Sequence, residues 1–210
     1  MTTFTLKMIA IVSMLIDHVG YVLFPKTLIF RLIGRLAFPI FAYLIAEGFT
    51  HTRDVKKYLF RLGIFALVSE IPFDLASTGK VLEFGHQNVF FTLFLGLVTI
   101  VLVSKTKNIL LQFVSVFVIA ALARFLRTEY QSSGVMMIAL FYIFRERKVE
   151  KFFAVAIIVL MMSGKLQSLC LLSFIPIALH NGKQGPKMKL FFYLFYPLHL
   201  LLIYGIKVLL

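Results

Sequence analysis

Residues 4–24 read FTLKMIAIVSMLIDHVGYVLF, and residues 28–48 read LIFRLIGRLAFPIFAYLIAEG. Each is as long as the roughly 20 helical residues needed to cross a bilayer core of about 30 Å. Each also carries ionisable residues deep in apolar surroundings, Asp17 and His18 in the first and Arg31 and Arg35 in the second. Such groups cost several kcal/mol apiece to insert, so a chain that keeps them inside a span uses them. The first run is not read as a cleaved signal, because Asp17 and His18 occupy its second half and no small-residue cleavage site follows.

The rest of the chain repeats the pattern. Of its 210 residues 60% are hydrophobic and 15% charged, and the mean hydropathy is +0.95, an apolar excess beyond what one soluble core can bury. Beyond the first two runs, apolar stretches cover 58–75, 88–104, 108–123, 130–144, 152–163, 166–180 and 188–210. The predicted fold is all-α, a polytopic transmembrane helix bundle of about nine spans. The seventh and eighth are short and could form a re-entrant hairpin, but fusing them into one span would put Lys183, Lys187 and Lys189 on the wrong side. With no internal repeat, low-complexity tract or linker, residues 1–210 are read as a single integral membrane domain.

Lys and Arg number 22 against 9 Asp and Glu, a formal charge of +13. These charges sit in short clusters between the apolar runs, the pattern of loops touching anionic headgroups, not of a nucleic-acid-binding face. With the N-terminus inside, the cytoplasmic loops hold most of them, and the outer side keeps only Lys26, Lys80, Arg124, Arg127, Lys165 and Lys207. The expected location is therefore a bacterial-type inner membrane, multi-pass, with a cytoplasmic N-terminus, and the lipid bilayer as a partner. Cys170 stands alone, which excludes an internal disulfide and a cysteine-cluster metal site.

Depth gathers the buried polar groups at one level. Entering from inside at Phe4, Asp17 and His18 lie roughly 20 Å deep at about 1.5 Å per residue; entering from outside at Leu28, Arg35 lies about 10 Å in. Arg31 and Arg35 are four apart and share a helix face, so either can pair with Asp17 or present its fork to an anionic group. Glu70 and Asp74 arrive at the outer end of the third run, where Pro72 should distort the helix. His86, Gln87 and Asn88 open the fourth run from that side, and His199 falls near the midplane of the last. A buried histidine beside a carboxylate suits general-base activation of a hydroxyl or amine, and nearby arginines suit a developing oxyanion or a donor's phosphates. Neighbours on a helix diverge by about 100°, so Asp17 need not touch His18, and its partner can instead be Arg31 or Arg35. No zinc-protease spacing, phosphate-cradling glycine loop or serine-hydrolase elbow occurs.

The stretches Leu15-Ile16-Asp17-His18-Val19-Gly20, Arg31-Leu32-Ile33-Gly34-Arg35-Leu36-Ala37-Phe38-Pro39, Ile45-Ala46-Glu47-Gly48-Phe49, Ser69-Glu70-Ile71-Pro72-Phe73-Asp74 and His86-Gln87-Asn88-Val89-Phe90-Phe91-Thr92-Leu93 resemble the TraX family, with Tyr196-Pro197-Leu198-His199 as a C-terminal match. The region between Ser104 and Lys189 adds little beyond hydropathy. The resemblance implies a multi-span acyltransferase of the type that acetylates the N-terminus of conjugative pilin. TraX proteins also resemble a wider transmembrane acyltransferase superfamily, in which an early-helix His and paired arginines serve transfer from cytoplasmic acyl-CoA to an acceptor across the membrane. Carried onto this chain, that implies a catalytic group of His18, Arg31 and Arg35 with Asp17. Glu70, Asp74, His86, Gln87, Asn88 and His199 follow as substrate-binding candidates. The basic cluster Arg53, Lys56, Lys57 and Arg61 suits the phosphates of acetyl-CoA, although positive-inside retention also accounts for it. The expected donor is acetyl-CoA without a metal, and the acceptor an unidentified peptide, glycan or lipid.

Each of these residues also has a plainer reading. His18 can be a buried histidine bonded to a carbonyl, Arg31 and Arg35 structural ion-pair partners, and Glu70 and Asp74 interfacial carboxylates at a bent helix end. Glu47, at an inner helix end, reads as interfacial, and His51 and His180, also at inner boundaries, read as solvated. Two other classes compete with an enzyme. A transporter or proton relay would also place Asp, His and Arg inside a bundle, and a non-catalytic scaffold would leave their insertion cost without a purpose.

Overall fold

The computed structural model describes residues 1–162 and 166–210. Lys165, counted above on the outer side, and Ser163, where the seventh run ends, lie outside the described residues. Among the described residues the chain is helical: α1 (Thr3–Val22), α2 (Leu28–Gly34), α3 (Ala37–His51), α4 (Val55–Val68), α5 (Glu70–Thr78), α6 (Val89–Ser104), α7 (Ile109–Phe125), α8 (Gln131–Ile143), α9 (Lys148–Met161), a 3₁₀ segment (Gln167–Ser173), α10 (Phe174–Ala178) and α11 (Lys189–Leu209). The isolated bridge Gln87 to Thr128 is the nearest approach to β-structure there. Among the described residues three stretches, Thr3–Val22, Leu28–His51 and Lys189–Leu209, are long and apolar enough to cross a bilayer, and four shorter apolar helices accompany them.

Two predicted runs are each split in two, and a proline accounts for both breaks. Pro39 has no N–H to offer the carbonyl four residues back, that of Arg35, and its ring crowds that group. The chain tightens there, with the amides of Arg35 and Leu36 reaching Leu32 and Ile33 three residues back. Pro72 does the same to Val68, where α4 ends, and the Ser69 carbonyl accepts instead from Phe73. The eighth run is a 3₁₀ segment leading into the short α10, not one continuous helix.

The apolar surface is turned outward. Ile109, Phe113, Phe117 and Phe125 follow one another along α7 and are all well exposed, Phe113 by 68%. His18, Arg35, Ser69, Asp74, Asn88 and His199 are buried. A helix surface that apolar would associate or precipitate in water, whereas lipid solvates it. The chain is a helical membrane protein.

By contact density the chain divides into two compact units, one of 1–41, 68–83 and 163–210, the other of 42–67 and 84–162. In the first unit α1 packs against α2 and α11, and α11 against α5. Two glycines permit the α1–α2 approach: a Cβ on Gly20 would collide with Phe30, and one on Gly34 with Asp17. The start of α1 is satisfied by the segment before α11. Thr3 and Phe4 amides donate to the Lys183 and Gln184 carbonyls at 2.8 and 3.1 Å, and Thr2 caps the Thr5 amide. His180, read from sequence as solvated, lies 3.1 Å from the Thr3 hydroxyl through Nε2. Gly185, at φ 71°, lies against Thr2 and Phe4, where a side chain would be both strained and crowded.

In the second unit α6, α7 and α8 pack mutually and α8 carries α9. Leu95, Ala120, Ala123 and Val135 form a buried cluster, and Gly96 admits Ile138 where a Cβ would collide. Asn88 and Asn108 cap α6 and α7 through their side-chain oxygens.

Gly34→Ala should therefore overpack the α1–α2 contact and lower unfolding stability by about 1–3 kcal/mol. Gly205→Ala, at a glycine with nothing within 4 Å of an added Cβ, should leave it unchanged or raise it slightly. Thermal unfolding of the two variants in the same detergent is the check.

Candidate functional site

The close α1–α2 approach decides where the Asp17 carboxylate goes. Its Oδ2 accepts from Nη1 of Arg31 at 2.6 Å, and its Oδ1 from Nη2 of Arg35 at 3.4 Å. Arg31 and Arg35, one turn apart, thus hold the two carboxylate oxygens separately. Arg35 is anchored further: Nε donates to the Arg31 carbonyl at 3.4 Å, and Nη1 to Oε1 of Gln167 at 3.2 Å. Arg31 lies over the Tyr21 ring and keeps 29% of its side chain exposed, against 10% for Arg35. One carboxylate against two guanidiniums leaves this triad with a positive charge in excess, suited to an anionic or oxyanion-forming ligand.

His18 points elsewhere. The turn of about 100° between neighbours on a helix takes its ring away from the α2 side, where Asp17 is held, and onto α11. There His18 Nδ1 and His199 Nε2 are 2.6 Å apart. His199 Nδ1 lies 2.7 Å from the Phe195 carbonyl, one turn back on α11. Tyr196 sits edge-on to both imidazoles, with centroids 5.8 Å from His18 and 5.6 Å from His199. Both histidines are buried. Of the partners the sequence left open for Asp17, the arginines hold it, and the group touching His18 is a second imidazole.

Gln167 enters the cluster from the 3₁₀ segment and was not among the sequence candidates. It takes the Arg35 bond, and Cys170 Sγ lies 3.8 Å from the same Oε1. Its one sequence signal was an amide at the head of an otherwise apolar run.

Glu70 opens α5 in the first unit, which packs on α11. Asp74, one turn on, is buried, and its Oδ2 accepts the Glu83 amide at 2.7 Å, folding the loop after α5 back over the helix. Asp74 Oδ1 is buried without a hydrogen-bond partner among the described residues. His86, Gln87 and Asn88 belong to the second unit. Asn88 is wholly buried, with Nδ2 donating to the Ala66 carbonyl at 2.8 Å and Oδ1 accepting from the Phe90 amide at 3.0 Å, so its amide serves the fold at both ends. Gln87 donates from its backbone to the Arg127 carbonyl and from Nε2 to that of Phe84. His86 is exposed.

The basic cluster also lies in the second unit, at and after the α3–α4 turn. Arg53 and Lys56 are exposed, Lys57 pairs with Asp54 at 3.3 Å, and Arg61 lies over the Tyr58 ring. The Lys57 amide, which donates to Asp54, holds that carboxyl below the usual carboxylate range.

Comparison with known proteins adds a lineage to this geometry. The family model described as TraX protein matches residues 3–207. A Dichelobacter nodosus protein described as "Probable fimbrial assembly protein FimC, serogroup H1" is 25% identical, over 98% of this chain and 96% of its own length. A Rickettsia prowazekii (strain Madrid E) protein described as uncharacterized is 31% identical over 43% of this chain and 33% of its own. No solved structure matches.

Loss of Arg35 should cost more than loss of Arg31, because Arg35 is the more buried and releases both Asp17 and Gln167. Arg35→Gln should destabilise the protein by about 3–5 kcal/mol, the cost of breaking a buried pair from one side, and Arg31→Gln by clearly less. Denaturant titration in mixed micelles ranks them; equal or reversed costs would contradict the geometry.

Proposed function

The chain belongs to the TraX family, and from that premise we propose that it is an integral membrane acyltransferase. In this reading it moves an acetyl group from cytoplasmic acetyl-CoA to an amine or hydroxyl acceptor on the outer side of the membrane. The observation that carries the proposal is the sorting of side chains around α1: two guanidiniums sharing one carboxylate on one face, a hydrogen-bonded imidazole pair on the next, in one compact unit. Acyl transfer to an amine or hydroxyl needs both, a base for the acceptor's proton and a cationic environment for the oxyanion.

The roles follow from the chemistry of each group. His18 takes the acceptor's N–H or O–H proton as the acceptor's lone pair attacks the thioester carbonyl. Arg31, the more exposed of the pair, stabilises the oxyanion, while Arg35, tied to Asp17 and Gln167, holds the array in place. The carbon–sulfur bond then breaks, and the proton held by His18 passes to the departing sulfur, giving free CoA thiol and acetylated acceptor. Arg53 and Lys56, exposed and basic, suit the donor's phosphates. Asp74, with its unpartnered Oδ1, suits an acceptor ammonium, with Glu70 one turn away. The fimbrial description of the Dichelobacter relative supports a pilus subunit's N-terminal amine as the acceptor, among peptide, glycan and lipid alternatives. An inner membrane location with a cytoplasmic N-terminus completes the reading.

Purified protein in lipid nanodiscs, given labelled acetyl-CoA and membrane extract, should transfer label to an extract component, and His18→Ala should reduce that transfer at least ~100-fold with the protein still folded. Proton flux in liposomes without any acetyl transfer would instead favour the relay class. In a Cys170→Ser background, a cysteine at Lys80 should label from outside and one at Lys148 only from inside; the reverse would undo transfer across the membrane.

A further inference from the structure

The histidine from α11 has no role in the scheme above, yet both of its ring nitrogens are engaged. The two imidazole centroids are 4.9 Å apart and the rings tilt by 22°. A face-to-face stack could give such numbers, but the nitrogen–nitrogen distance of 2.6 Å decides against it. Rings joined end to end through a contact that short have their centroids at this separation, so the bond lies close to both ring planes, in line with the nitrogen lone pair.

The order of protons along the chain is then set from one end. The Phe195 carbonyl can only accept, so His199 Nδ1, 2.7 Å away, carries hydrogen. A neutral His199 with hydrogen on Nδ1 has a bare Nε2, which accepts from His18 Nδ1. His18 is therefore protonated on Nδ1 and presents Nε2 as a lone pair, with no hydrogen-bond partner among the described residues. We propose that His199 is a positioning residue that fixes the tautomer and ring orientation of His18, making Nε2 the basic atom of the site. This rests on the acyltransferase reading only for the step that the base serves; the tautomer itself does not.

The usual occupant of this position in a nucleophile–base–orienter array is a carboxylate. Here the carboxylate next in sequence, Asp17, is held by Arg31 and Arg35 on another face of α1. A neutral imidazole in its place gives a weaker ground-state bond, and that bond becomes charge-assisted when His18 gains the acceptor's proton at Nε2. The support thus grows as the proton arrives, and no second buried anion is placed beside the guanidinium pair. The proton balance is unchanged: Nε2 gains one from the acceptor and returns it to sulfur, while the Nδ1 hydrogen stays on His18 throughout.

The test is solid-state ¹⁵N NMR of the full chain, histidine-labelled and reconstituted in lipid. His51, His86 and His180 are replaced so that the pair is seen alone. We expect one protonated and one bare nitrogen on each ring and a ¹⁵N–¹⁵N coupling between His18 Nδ1 and His199 Nε2. In His199→Phe that coupling disappears and His18 populates both tautomers; in His199→Gln, whose side-chain oxygen can accept, the Nδ1 form persists. For transfer, His199→Phe should lower kcat about 100-fold with the KM for acetyl-CoA little changed, and His199→Gln should recover part of the loss. Hydrogen on Nε2 of His18 in the unaltered protein, or a kcat indifferent to His199→Phe, would overturn the assignment. If the NMR result holds while no acetyl transfer is found, the tautomer assignment is supported and the acyltransferase reading fails alone.

Discussion

An aspartate shared by two arginines inside an apolar bundle is the constraint on which the first unit depends. A lone carboxylate or guanidinium in such surroundings would be too costly to keep ionised. Bringing Asp17 against Arg31 and Arg35 reduces that cost, but only because α1 and α2 approach closely enough, through Gly20 and Gly34, for the side chains to meet. The ion pair makes the helix contact necessary and the glycines make it possible. Pro39 breaks the helix at Arg35, whose guanidinium meets both Asp17 and Gln167. Such pairs are weak sources of net stability; what this one supplies is a fixed positive field beside the histidine.

Much of this was legible in the sequence, and the parts that were not share a cause. Among the described residues the apolar runs bounded by charge clusters gave helical segments in each place, the second and third broken and the eighth largely 3₁₀, and Pro72 marked a real break. The possibility that Asp17 pairs with Arg31 or Arg35 instead of His18 came from the turn per residue alone, and the side chains meet that way. Gln167 could not be found so, because its partner lies 132 residues away and the run holding it is 3₁₀, without the periodicity that would have assigned a face. The His18–His199 contact spans 181 positions; sequence placed His18 in the outer half and His199 near the midplane but had no means of turning the rings toward each other. Asn88 shows the opposite limit. A buried amide in a polar motif reads as a binding residue; the structure adds a fold role that the motif did not reveal, with Nδ2 on the Ala66 carbonyl and Oδ1 capping α6 through the Phe90 amide.

The functional reading draws on a division of labour around one helix. Successive residues of α1 point to different neighbours, so a cationic array and a proton-accepting array are built side by side without cancelling each other. Had Asp17 oriented His18 directly, the arginines would have lacked their counter-charge and the imidazole would have carried a permanent anion at its back. In the proposed acyl transfer, separating the two would let the base take up a proton without a buried anion behind it and would leave the positive field free for a thioester oxygen.

A thermodynamic double-mutant cycle on unfolding tests this separation most directly. Replacing His18 and His199 by phenylalanine, singly and together, should give a coupling energy of about 1 kcal/mol, the worth of a buried neutral hydrogen bond. The matching cycle of Asp17→Asn with His18→Phe should give none. Coupling found between Asp17 and His18, with none between His18 and His199, would contradict the account.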